Sequence, residues 1–181
     1  FRSDHVLVEG NSAAANADPL VYDMMAAFYT ACSSFIAQNF GARKKKRILQ
    51  TYLICLFYSF ITSLVLGVGI YLARYPFLYL FTSDKAVVEA GITRLSIMAL
   101  SYSASAFMDA SIAASRGLGK TAVPTFVVVM GSCVFRIIWI YTIFAYFHTI
   151  QSLYILYVFS WGITAIAENI YFFHVYRHTL T

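Results

Sequence analysis

Of 181 residues, 60% are hydrophobic and only 12% charged, against about 25% charged in an average soluble domain. Such a chain cannot cover an ordinary soluble fold with polar surface, and its solvent is lipid. The formal charge of +5 raises nucleic acid as a partner, but five basic residues form one run, Arg43-Lys44-Lys45-Lys46-Arg47, between two apolar stretches. A run in that place fixes membrane orientation and does not read as a polymer-binding patch.

The pattern predicts an all-α integral membrane protein, a polytopic helical bundle with five spans. Residues 1–19 read as an external segment that follows a missing helix, and residues 20–181 as part of a transmembrane lobe. Asp18 followed by Pro19 suits the start of a helix, and the first span (20–40) carries Asp23. On it Ser33, Ala37 and Gly41 recur at small-xxx-small spacing, which favours helix contact. The second span (48–73) has no charged residue and exceeds the ~20 residues needed to cross a hydrocarbon core.

A longer link, residues 74–94, is aromatic at first (Tyr75, Phe77, Tyr79, Phe81) and then charged, as expected of a segment lying at the interface. The third span (95–115) is apolar apart from serines and Asp109. Gly117-Leu118-Gly119-Lys120 forms a turn, with Pro124 in the first turn of the fourth span (123–147), which is interrupted by Arg136. A short link around His148 to Ser152 leads to the fifth span (153–175), which carries Glu168. Cys32, Cys55 and Cys133 fall in apolar stretches and read as small buried hydrophobes. His5, His148, His174 and His178 have no metal-ligand spacing. No nucleophile–base arrangement stands out, so neither an enzyme nor a metal site is expected.

Alternate ends of the spans differ in basic charge. One side collects Arg43, Lys44, Lys45, Lys46, Arg47, Arg116, Lys120 and Arg177; the other has Arg2, Arg74, Lys85 and Arg94. The richer side is expected in the cytoplasm, with the C-terminus. Residue 1 is Phe and the spans are odd in number, so sequence upstream is expected.

Four ionisable groups fall inside spans, where each needs a partner or water: Asp23, Asp109, Arg136 and Glu168. Ser101, Ser105 and Asp109 share one stripe of the third span, while Ala106, Ala110 and Ala114 form a second row suited to close contact. One polar face ending in a carboxylate fits the wall of an aqueous cavity, where Asp109 binds Na⁺ or exchanges a proton; the alternative is an acid that caps a helix or pairs with Arg136. Asp23 either faces a cavity open to the outside or sits in water at the interface. At about 1.5 Å per residue, Arg136 lies roughly 18 Å and Glu168 roughly 13 Å from the same side. The arginine stem spans that difference, and a structural ion pair is expected.

Three stretches carry a family resemblance. Gln38-Asn39-Phe40-Gly41-Ala42 precedes the basic run. Leu80-Phe81-Thr82-Ser83-Asp84 is followed by Val87, Val88 and Gly91. Met108-Asp109 leads to Arg116-Gly117-Leu118-Gly119-Lys120-Thr121 and Pro124. In this order and spacing the chain resembles the last five of the twelve helices of multidrug and toxin extrusion (MATE) transporters. The resemblance implies the second of two six-helix lobes around a central cavity, with the N-terminal lobe of the same chain as a partner. It implies a secondary antiporter of the cell (inner) membrane. Small organic, often cationic, compounds would be exported in exchange for Na⁺ or H⁺, with no other cofactor. In some members an acid on the tenth helix serves the cation site, and Asp109 falls there, with Ser105 one turn before it. A lipid-linked oligosaccharide flippase of the same superfamily and a non-transporting scaffold are the alternatives.

Overall fold

The computed structural model describes residues 2–147 and 149–179; Phe1, His148, Leu180 and Thr181 lie outside them, and so does the histidine of the last link. The described chain is helical from its start. Helix α1 (Arg2–Ala15) runs into α2 (Ala17–Gly41) with a break at one residue. Its cause is Pro19, which has no N–H and crowds the carbonyl four residues earlier, that of Ala15. Asn16 makes the break tolerable by donating its side-chain amide to the Ser12 and Ala13 carbonyls at 3.2 and 3.1 Å. Helix therefore covers almost all of the segment expected to be external, and the apolar stretch His5–Gly41 is long enough to cross a membrane.

The basic run turns the chain. Gly41 ends α2, Arg43 adopts a left-handed φ of 53°, and the amides of Arg43 and Lys44 return to the carbonyls of Phe40 (3.0 Å) and Asn39 (2.9 Å). This double closure satisfies the last carbonyls of the helix. Helix α3 (Lys45–Leu72) is the second crossing, and α4 (Arg74–Tyr79) is a short aromatic helix after it. Tyr75, Tyr79 and Phe81 are exposed, whereas Leu78 is fully buried.

Helix α5 (Lys85–Gly117) begins ten residues before the predicted third span. Its cap is Asp84, whose carboxylate accepts from the Ala86 amide at 2.8 Å, a strong start signal inside what read as a link. The helix bends by 44° between Lys85–Ala99 and Ser101–Gly117. Ser101 sits at the bend and donates its hydroxyl to the Ile97 carbonyl at 2.7 Å; such back-bonding bends helices. At its far end Gly119 takes φ 75°, and the amides of Gly119 and Lys120 close on Arg116 and Ser115, repeating the turn at Arg43.

The fourth crossing, Ala122–Phe147, comprises α6 (Ala122–Val129), a π-helical segment Met130–Val134, α7 (Phe135–Trp139), a second π-helical segment Ile140–Phe144, and α8 (Ala145–Phe147). The wide first segment turns the Gly131 carbonyl outward to accept the Ser160 hydroxyl at 2.7 Å. Helix α9 (Ile150–His178) is the last crossing.

Helix α5 is the hub and packs against α1, α2, α3 and α9, while the fourth crossing rests mainly on α9. The largest core joins Cys32 and Ile36 of α2, Ile48, Tyr52 and Cys55 of α3, Ala113 and Ala114 of α5, and Phe172 of α9. Close approach depends on small residues: at Gly10 an added Cβ would lie 2.7 Å from the Val87 carbonyl, and at Gly117 it would lie 2.7 Å from that of Ser33. Ala106, Ala110 and Ala114 are buried as a contact row requires. The row Ser33, Ala37, Gly41 is not the packing face of α2: Ala37 and Gly41 are exposed, and Cys32 and Ile36 point into the bundle instead. Cys133 also departs from expectation, being exposed on the outer fourth crossing while Cys32 and Cys55 are buried.

Candidate functional site

Helices α2, α5 and α9 enclose a cavity of about 620 Å³ lined by Asp18, Asp23, Tyr29, Arg94, Tyr102, Ser105, Asp109, Tyr157 and Trp161 among others. The three residues expected to bind a cation or substrate, Asp109, Ser105 and Asp23, thus share one space. Asp109 is half-buried on α5. Ser105, one turn away on the same face, donates its hydroxyl to the Tyr102 carbonyl at 2.9 Å, which leaves its lone pairs available. Asp23 is exposed. Tyr29 reaches in from α2; its hydroxyl is buried without a hydrogen-bond partner among the described residues, within electrostatic range of Asp109. Val21, Met25, Met98, Tyr102 and Ala106 pack into one cluster that, with Tyr157 and Trp161, forms the apolar body of the wall. An apolar enclosure with a few convergent polar groups is the usual form of a small-molecule site.

Ser101 does not join them. It is buried at the bend of α5 and hydrogen-bonded to its own helix. The face that lines the cavity runs Arg94, Met98, Tyr102, Ser105, Asp109, one residue round from the serine stripe and equally regular at helical spacing.

A polar cluster at one end of the cavity was not anticipated. Arg94 forms an ion pair with Asp18 at 2.5 Å and donates to the Asn11 side chain at 2.8 Å, while Tyr102 donates its hydroxyl to the other Asp18 oxygen at 2.5 Å. These bonds tie α1, α2 and α5 together around a carboxylate that is about a third exposed. Asp18 beside Pro19 read only as a helix start and Arg94 only as part of a charged link. The signal that finds them is the helical count back from Asp109 through Ser105, Tyr102 and Met98.

The ion pair expected between Arg136 and Glu168 is not formed. Arg136 donates to the Ser160 hydroxyl at 3.2 Å and lies 4.4 Å from the centre of the Tyr157 ring. Ser160 is eight residues from Glu168 on α9, about 12 Å along a helix, so Arg136 is engaged two turns away. Nor does Arg136 serve Asp109, the other pairing considered for it. Both Glu168 oxygens are buried without a hydrogen-bond partner among the described residues.

A profile of the MatE family matches residues 7–142. No curated protein matches the chain. Among solved structures, the MATE transporter VcmN of Vibrio cholerae in its bent form is similar, with a TM-score of 0.73 and 18% identity. The alignment covers 98% of this chain and 43% of that one, so the present chain spans less than half the length of that relative. At that identity the likeness concerns the fold.

Proposed function

The chain belongs to the MatE family, and on that premise we propose that it forms the second lobe of a secondary antiporter that exports small organic, often cationic, compounds in exchange for Na⁺ or H⁺. The observation that carries this reading is the meeting of Asp109, Ser105 and Asp23 in one cavity of about 620 Å³, within the ~300–1,000 Å³ range of small-molecule sites. Asp109 holds the coupling cation or the charged end of the substrate, Ser105 and Tyr29 supply oxygen beside it, and Asp23 attracts cations at the rim. Tyr157, Trp161 and Met98 offer the aromatic and apolar surface that an amphipathic cation prefers.

Charge favours this reading over a flippase for an anionic lipid-linked sugar. Arg94, the basic residue on the cavity wall, is already neutralised by Asp18, so Asp23 and Asp109 leave the space negative. Alternating access requires the loaded and empty sites to favour opposite-facing states. The basic turns at Arg43–Arg47 and Arg116–Lys120, with the C-terminus, face the cytoplasm of the cell (inner) membrane, and the Asp18 end of the cavity faces outward.

The test is efflux of a cationic dye from cells producing the full-length protein. Efflux that collapses with the Na⁺ or H⁺ gradient and is lost in Asp109→Asn at equal expression supports the reading. Efflux unaffected by that substitution removes Asp109 from coupling, and absence of efflux in the native protein favours the flippase or scaffold.

A further inference from the structure

Glu168 belongs neither to the cavity nor to an ion pair. It is 0% exposed on α9, enclosed by the helices of this chain alone, and neither carboxylate oxygen meets a hydrogen-bond partner among the described residues. A bare carboxylate in that setting bears the full cost of losing water with nothing to replace it.

The surrounding charges do not relieve it. Arg116 of α5 acts on Glu168 electrostatically, but Arg116 is exposed at the turn, where its field is screened. Asp109 of the same helix lines the cavity. The first π-helical segment and α7 carry Cys133, which is exposed, and Arg136, which is committed to Ser160 and Tyr157. Helix α6 has no ionisable residue. From α9 itself, His174 and Arg177 lie one to three turns further along.

A metal cation does not answer the need, because it requires several oxygens converging with the carboxylate, and none stands within hydrogen-bonding reach of either Glu168 oxygen. A proton requires no other ligand. We propose that Glu168 is a proton-binding site of its own, occupied in this conformation and closed off from the cavity that holds Asp109. The site is independent of which ion drives transport through the cavity.

Infrared spectroscopy on the full-length protein at neutral pH tests this directly. A protonated carboxyl band is expected in the native protein and in Asp109→Asn, absent from Glu168→Gln, and slow to shift on transfer to heavy water because the site is occluded. In Glu168→Asp the band should move in frequency and persist, which covers the case of a poorly folded glutamine variant. Because glutamine reproduces the neutral acid, Glu168→Gln should also keep the native thermal midpoint. An unchanged carboxyl band in both Glu168 variants, or a carboxylate signal assigned to Glu168 at neutral pH, overturns the proposal. Neither result depends on whether the protein exports a drug.

Discussion

At the scale of single residues, polar groups sort by whether the bundle completes their bonding. Tyr52 is buried between the Ser111 hydroxyl at 2.9 Å and the Asn169 side-chain oxygen at 2.5 Å, a satisfied network linking α3, α5 and α9. Asp18 is likewise supplied by Arg94 and Tyr102, whereas Tyr29 and Glu168 are left open. Asp18 and Arg94 form a unit, so their substitutions should not add. Asp18→Asn and Arg94→Gln are each expected to lower unfolding stability by about 1.5 kcal/mol, the low end for a charge-assisted bond given that Asp18 is partly exposed. The double variant should lose at least ~0.5 kcal/mol less than the sum, measured by thermal unfolding in detergent. Full additivity would show that the pair contributes nothing as a pair. Tyr52→Phe strands Ser111 and Asn169 and is expected to cost about 1–3 kcal/mol in the same assay.

At the scale of elements, hydrophobic runs made the crossings legible but not where all of them begin. The second and fourth predicted spans lie within or close to Lys45–Leu72 and Ala122–Phe147, because nothing polar competes with their apolar signal. Helix α5 was shortened because the charges of its first two turns resemble an interfacial link, although Asp84 caps them. One residue of helical phase separates the serine stripe from the face carrying Arg94 and Tyr102, and periodicity alone cannot choose between neighbouring faces when both contain polar groups. The Arg136–Glu168 pairing failed for a related reason. Depth along a helix was counted, but π-helical segments change the rotational phase of everything beyond them, and Ser160 offered a nearer partner.

The two closing turns give a test at this scale. Arg43 occupies a left-handed φ where Gly119 stands in the matching turn after α5. A non-glycine residue there costs about 1 kcal/mol, so Arg43→Gly is expected to raise the unfolding midpoint and Gly119→Ala to lower it. Identical midpoints for Arg43→Gly and the native protein would mean that the arginine's contacts offset the strain.

At the scale of the whole molecule, the basic residues gather at one end of the bundle. Lys45 donates to the Arg177 carbonyl at 3.0 Å and lies over the Tyr176 ring, so the turn after α2 and the end of α9 meet there. A cysteine at Lys46 in an otherwise cysteine-free protein should react with an impermeant thiol reagent only after the membrane is opened, and one at Lys85 should react in intact cells. The reverse pattern would invert the proposed topology. The five crossings and their order were legible because lipid imposes a simple composition on each. The meeting of Asp23, Ser105 and Asp109 was not, because it depends on packing between helices far apart in sequence.

The most central helix is also the most charged along its length. Lys85, Glu89, Arg94, Asp109 and Arg116 all lie in α5, and its two halves qualify as a crossing only when taken together across the bend. Each buried charge weighs against partitioning from the translocon into lipid. During synthesis α5 must therefore wait for company: Asn11 and Asp18 of α1 and α2, made earlier, offer Arg94 its partners. Biogenesis of this lobe is thus sequential, with the apolar helices entering first and the one they surround inserted as part of their assembly.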